Sequence, residues 1–176
     1  MHTREPGGTP LSEHVRDLLL HPKKLSAFKI GERSELLLFL ASRMQHVEEK
    51  ILPALRQGFF VICERFNDST IAYQGYARHL GAHYVTQLCH LVCEGLIEPQ
   101  KTLLLDLDPK EGLQRRKREG KSFDRLEREQ LQFHQEVRQG FLHLADQYPE
   151  RIQVIDASLP SDVVFFQALE ILQSIL

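Results

Sequence analysis

Apolar and polar positions along the chain follow two rhythms. Three short apolar segments, FFVIC at 59–63, TLLLDLD at 102–108 and RIQVID at 151–156, predict strands covered on both faces, as in a parallel sheet. Between them the period is helical. From Glu35 to Leu55 the set Leu37, Leu40, Ala41, Met44, Val47, Ile51 and Leu55 steps by three and four, and Gly58 follows as a stop. That spacing predicts a helix with this stripe facing the core. Leu36, Phe39, Arg43 and His46 share a second face of the same helix. Phe133, Val137, Phe141, Leu144 and Tyr148 repeat the pattern, residues 162–176 read as a closing helix after Pro160, and Leu11 to Leu20 form a shorter one. Helices alternating with buried strands predict an α/β doubly wound parallel sheet, in which ligands bind beyond the carboxyl ends of the strands.

Composition narrows the class. The 176 residues suit one domain, 1–176, with 42% apolar and 26% charged residues and neither a repeat nor a linker. The net charge of −2 disfavours a nucleic-acid partner, so any basic site is local. No apolar run spans a bilayer and the start, MHTREPGG, has no signal-peptide layout, which predicts a cytoplasmic protein without membrane contact. Three cysteines, Cys63, Cys89 and Cys93, read as free thiols in a reducing compartment.

Candidate chemistry gathers in three segments. TREPGGT at 3–9 sets Arg4, which can contact a phosphate bidentately, before two glycines that allow close backbone approach. ERFNDSTIAYQG at 64–75 leaves a buried strand with Arg65, Asp68, Thr70, Tyr73 and Gln74, a density of directional donors and acceptors that suits a ligand-reading loop or, equally, a helix cap at Asp68 or Ser69. Phe39 and Arg43, at i and i+4, could stack on and hydrogen-bond a planar base; Phe39 could also be simple core. The third segment, 112–127, crowds Arg115, Arg116, Lys117, Arg118, Lys121 and Arg125 around Gly120, as in a mobile cover over polyphosphate or a solvated helix face. Asp106 and Asp108 at a strand end suit a metal or helix capping. Gly120-Lys121-Ser122 is no phosphate loop, since a charged helix precedes it and the motif's first glycine falls on Arg115. His83, Cys89, His90 and Cys93 match no usual zinc spacing, so no metal site is assigned.

TREPGGTPL, ELLLFLASRMQHVEEKILPAL, ICERFNDSTIAYQG, LLLDLDPKEGL, DRLE and VIDAS stand in the order and spacing of bacterial thymidylate kinases, and the resemblance covers essentially the whole chain. It implies the fold of the P-loop nucleoside monophosphate kinases and transfer of the γ-phosphoryl of ATP to dTMP with Mg2+, giving dTDP in dTTP biosynthesis, in a homodimer. By the same resemblance Arg4 and Arg65 hold the acceptor phosphate. Phe39 stacks on thymine, Arg43, Thr70 and Gln74 read its polar edge, and Tyr73 lies against the deoxyribose. Arg115, Arg118 and Arg125 contact ATP from a lid at 112–127. The catalytic set implied is Arg4, Glu64, Arg65, Arg118 and Arg125, acting by positioning and charge.

The sequence departs from the family pattern in two places. The family opens with a strand, a GxxxxGK[ST] loop, a helix and a second strand ahead of TREPGG, whereas this chain starts at Met1-His2-Thr3, so about 35 residues, one strand-loop-helix unit, are expected to be absent. The expectation is an N-terminally incomplete kinase domain that folds poorly alone and transfers negligible phosphoryl; the alternative is a degenerate paralogue that binds dTMP without catalysis. Glu64 stands where the family usually has Asp, one methylene further from its strand.

Overall fold

The computed structural model describes residues 1–21, 29–93, 97–120, 122–173 and 175. It is an α/β arrangement of two parallel strand pairs flanked by helices. Strands β1 (His2–Arg4) and β2 (Ile62–Glu64) pair in parallel with Thr3 opposite Cys63. Strands β3 (Thr102–Asp106) and β4 (Ile152–Asp156) do the same with Leu104 opposite Val154. The helices are α1 (Pro10–Leu20), α2 (Glu32–His46), α3 (Leu52–Arg56), α4 (Asn67–Thr70), α5 (Ala82–Val92), α6 (Pro109–Arg118), α7 (Leu131–Gln147) and α8 (Ser161–Gln173). A π turn, Val47–Ile51, joins α2 to α3, and a longer π segment, Ile71–Ala77, continues α4. No described helix is long and apolar enough to cross a membrane.

All three predicted strands are present and parallel, but three expectations are corrected. The first strand covers Ile62–Glu64, leaving Phe59 and Phe60 exposed before it, and Thr3 belongs to a fourth strand, β1, too short and polar for the apolar-run criterion. The strands are not covered on both faces: Ile62 is 52% exposed and Leu105 55%, because the two pairs form separate two-stranded sheets. The stripe predicted to face the core from α2 does so only in part, through Leu40, Val47 and Ile51. Leu37 and Ala41 are exposed while Leu36, Leu40, Arg43 and His46 are buried. The second, mixed face turns inward because its charged members find buried partners there.

The main core joins Leu36 and Leu40 of α2 to Ile71, to Val85 and Cys89 of α5, to Leu144 of α7 and to Ile152 of β4. A second cluster packs Val47 and Ile51 on Phe66 and Cys93, and a third sets Ala72 and Ala77 on Phe133 and Val137 of α7. Asp68 is buried and takes two hydrogen bonds from Arg151, at 2.7 and 2.8 Å, and one from Thr102 at 2.9 Å. It ties α4 to the β3–β4 pair and does not cap a helix, correcting that alternative.

α7 crosses the π segment closely at Gly140. A Cβ there would lie 2.9 Å from Cδ2 of Tyr76 and 3.1 Å from Cα of Ala72. Backbone cannot yield, so overpacking of about 1–3 kcal/mol outweighs the helix-propensity gain of about 1 kcal/mol. Gly140→Ala should therefore lose up to roughly 2 kcal/mol in urea denaturation; a gain would show that the crossing is not tight.

Candidate functional site

The sequence between β2 and the π segment builds one wall of a cavity of about 140 Å³. Arg65 leaves the end of β2 with φ of 68°, a left-handed conformation that side chains rarely adopt, and its guanidinium sits 5.3 Å from the centroid of the Tyr73 ring. Thr70, Tyr73 and Gln74 follow on the helical continuation and face the same cavity. Tyr73 is held edge-on by Phe133 and Phe141 of α7, with centroids 6.0 and 6.4 Å away. The opposite wall comes from α2, through Phe39 and Arg43 one turn apart. Six of the residues assigned to the acceptor nucleotide, Phe39, Arg43, Arg65, Thr70, Tyr73 and Gln74, thus converge on a single hollow.

Two buried carboxylates organise that hollow. Glu5, at the end of β1, accepts from Nε of Arg43 at 2.7 Å and bonds Nδ1 of His46 at 3.1 Å, while Nε2 of His46 lies 2.7 Å from Oγ1 of Thr3. Arg43 also lies over the Phe66 ring, 5.0 Å from its centroid. Burial works against its charged form, yet the Glu5 carboxylate overrides that and holds the guanidinium above its ordinary pKa. Glu35 is the second hub, 1% exposed. It accepts from Nε2 of Gln74 at 2.9 Å, from Arg78 at 3.3 and 3.4 Å and from Arg125 at 2.5 Å. Burial would raise its pKa, and the Gln74 bond with the charges of Arg125 and Arg78 wins, leaving it below the ordinary value.

The remaining assigned residues lie outside the cavity lining. Arg4 gives two hydrogen bonds to Glu13, each 3.0 Å. Glu64 is exposed at the end of β2, 2.9 Å from Nε2 of His2. Arg115 pairs with Glu111 and donates to the Ala157 carbonyl at 2.9 Å, and Arg118 is exposed at the end of α6. Arg125 is turned inward, with Nε on the Leu19 carbonyl at 2.7 Å and its backbone N–H on Leu20. Its end of the 112–127 segment is tied to α1 and α2, while Lys121 lies outside the described residues.

Asp108 caps α6 by accepting from Lys110 N–H at 2.9 Å, and Asp106 is bridged by Arg138 at 2.7 and 2.8 Å, so both serve structure. Cys89 and Cys93 are buried while His83 and His90 are exposed on α5. The cysteines are free thiols, and burial pushes Cys63 up to about 12 and Cys89 to about 11, which keeps both protonated and unreactive.

Sequence reasoning missed Glu5, Arg16 and Glu35. Arg16 lines the cavity from α1 and donates to the Pro6 carbonyl at 2.8 Å; burial and neighbouring Arg4 lower its pKa. Nothing in the α1 pattern marks it. Glu35 had a partial signal, since it opens the apolar run ELLLF on a segment that carries candidate ligands, but nothing local marks Glu5 or names the partners of either.

Known proteins resemble this chain over most of its length. The family model described as thymidylate kinase matches residues 1–167. The thymidylate kinase of Protochlamydia amoebophila is 49% identical over 98% of this chain and 78% of its own length. That of Chlamydia muridarum is 50% identical over 95% of this chain and 80% of its own. The crystal structure of the Ehrlichia chaffeensis thymidylate kinase superposes with a TM-score of 0.75 at 36% identity, covering 98% of this chain and 79% of that one. A family match across nearly the whole length, relatives at half identity and a shared fold together place this chain in the thymidylate kinase family, a family of phosphotransferases.

Proposed function

We propose that the cavity between α2 and the π segment holds thymidine monophosphate as the acceptor of a phosphoryl group from ATP. The observation that carries this reading is the convergence of Phe39, Arg43, Arg65, Thr70, Tyr73 and Gln74 on one hollow. An aromatic ring on one wall suits a flat base, and donors and acceptors at its end suit the base's polar edge. Arg65 supplies fixed positive charge to the acceptor phosphate, which lowers its repulsion toward an incoming γ-phosphoryl. Arg4 sits with Glu13 beside Arg16, so it reaches the phosphate by exchanging one carboxylate for another anion. The exposed end of α6, with Arg115 and Arg118, faces the donor nucleotide in this reading, and Arg125 joins them only by leaving Glu35.

Mg2+ prefers oxygen ligands and takes many of them from substrate phosphates and water. Glu64, an exposed carboxylate at a strand end, fits as one protein ligand. Glu5, His46 and Cys63 also approach one another, but sulfur and imidazole make that a soft donor set, which does not fit Mg2+. When bound, the ion would neutralise phosphate charge; the residues here orient the acceptor. The homodimer follows from the resemblance, and the cytoplasmic location from the sequence reading of the chain's start and apolar runs.

Calorimetric titration tests the acceptor site. Arg65→Ala should weaken dTMP binding about 10–100-fold, the worth of charge-assisted hydrogen bonds, and leave thymidine binding unchanged because thymidine has no phosphate. Equal loss for both ligands, or no binding of dTMP by the parent chain, would refute the assignment.

A further inference from the structure

A glutamine amide can present either its oxygen or its nitrogen to a ligand, and which one it presents decides which base it accepts. Gln74 is buried, lines the cavity and donates through Nε2 to Glu35 at 2.9 Å. Glu35 is ionised and accepts only, so the nitrogen must face it and Oε1 must turn the other way. That leaves Oε1 for the cavity that Gln74 lines. The carboxylate is itself held: Arg78 donates to both its oxygens, and Arg125, while turned inward, to Oε2 at 2.5 Å. Three cationic or amide donors therefore fix one acceptor, and that acceptor fixes the polarity of the amide.

We infer that Glu35 is a specificity-determining positioning residue, which locks the Gln74 amide with its oxygen toward the base and so selects pyrimidines that carry a hydrogen on N3. This rests on the acceptor site proposed above. Thymine and uracil donate from N3 and accept at O4, matching the Gln74 oxygen and an Arg43 donor. Cytosine reverses both positions, with an acceptor at N3 and an amino group at C4, so it meets an oxygen with a lone pair and a guanidinium with a hydrogen. A site whose buried polar groups would be left unpaired rejects such an analogue strongly. Glu35 touches no ligand in this arrangement and acts on the base through Gln74.

The test compares dTMP and dCMP by calorimetry on the whole chain. In Glu35→Gln the new amide keeps its carbonyl for Arg125 and offers an NH2 to Gln74, which reverses the Gln74 amide. The ratio of dTMP to dCMP affinity should fall tenfold or more, with dCMP binding unchanged or improved. Glu35→Asp keeps an acceptor-only group and should keep the ratio while sharing any packing loss. Equal weakening of both nucleotides in Glu35→Gln would mark a merely structural role and overturn the inference. A parent that prefers dTMP alongside a Glu35→Gln variant with the same preference sinks only the assignment of Glu35; a parent that binds neither nucleotide sinks the pocket reading itself. Nitrogen NMR of the unliganded parent needs no variant: the Gln74 side-chain NH2 should be protected from hydrogen exchange and should shift little when dTMP is added. Unprotected protons, or a large shift on dTMP addition, would show the nitrogen facing the cavity and overturn the inference independently.

Discussion

Replacing Glu5 with alanine should cost about 3–5 kcal/mol of folding stability, because it strands a guanidinium in the interior. Arg43 is 2% exposed and the Glu5 side chain 4%, and their bond is 2.7 Å. Deleting one member of such a pair leaves a charge with neither water nor counterion, whereas the pair as a whole contributes little net stability. His46 loses its partner at Nδ1 at the same time. For a chain of this size the loss lowers the melting temperature by roughly 6–20 °C. The double change Glu5→Leu with Arg43→Met should recover most of it, since matched apolar replacement of a buried pair is often neutral. A single variant that melts within a degree or two of the parent would mean that Arg43 escapes into the cavity and is hydrated there.

The same pair shows where sequence reading succeeds and where it stops. The strands at 102–108 and 151–156, the helix at Phe133 to Tyr148 and the parallel pairing follow from local apolar rhythm, and the structure has them. Rhythm cannot say which of two faces of α2 is buried when one is uniformly apolar and the other mixed. Leu37 reads as core and is exposed, while Arg43 and His46 read as a ligand face and are buried, because Glu5 lies 38 residues from Arg43 in sequence yet 2.7 Å away in space. The pocket residues were legible because their motif spacing resembles a family, and Phe39, Arg43, Arg65, Thr70, Tyr73 and Gln74 do meet. Glu5 and Glu35 were not legible as organisers. Their role depends on the partners that tertiary structure brings to them, and no local pattern encodes such partners. β1 escaped for a different reason: a three-residue strand has no period to detect.

Gly8→Ala should be nearly as damaging as the loss of Glu5, through shape instead of charge. Gly8 has φ of +92°, where an L side chain is strained, and its backbone N–H donates to Glu13 at 2.9 Å, so the turn cannot relax without losing that bond. A Cβ there would lie 2.5 Å from Nε2 of His46, 2.6 Å from its Cδ2 and 2.9 Å from Oγ1 of Thr3. His46 is fully buried and pinned at both nitrogens, by Thr3 and by Glu5, so its ring has nowhere to swing. Strain of about 1–3 kcal/mol and overpacking of about 1–3 kcal/mol then add to a loss of roughly 2–6 kcal/mol. The two terms separate in a double-mutant cycle. On a His46→Ala background the overpacking has no ring to meet and Thr3 Oγ1, freed from its bond to that ring, can turn away, so Gly8→Ala should cost little beyond the strain, a coupling of about 1–3 kcal/mol in urea denaturation. Additive losses in that cycle would show that the ring and the turn are not in contact. The Glu5 carboxylate and Arg43 would then hold the cavity wall without support from the loop that follows β1.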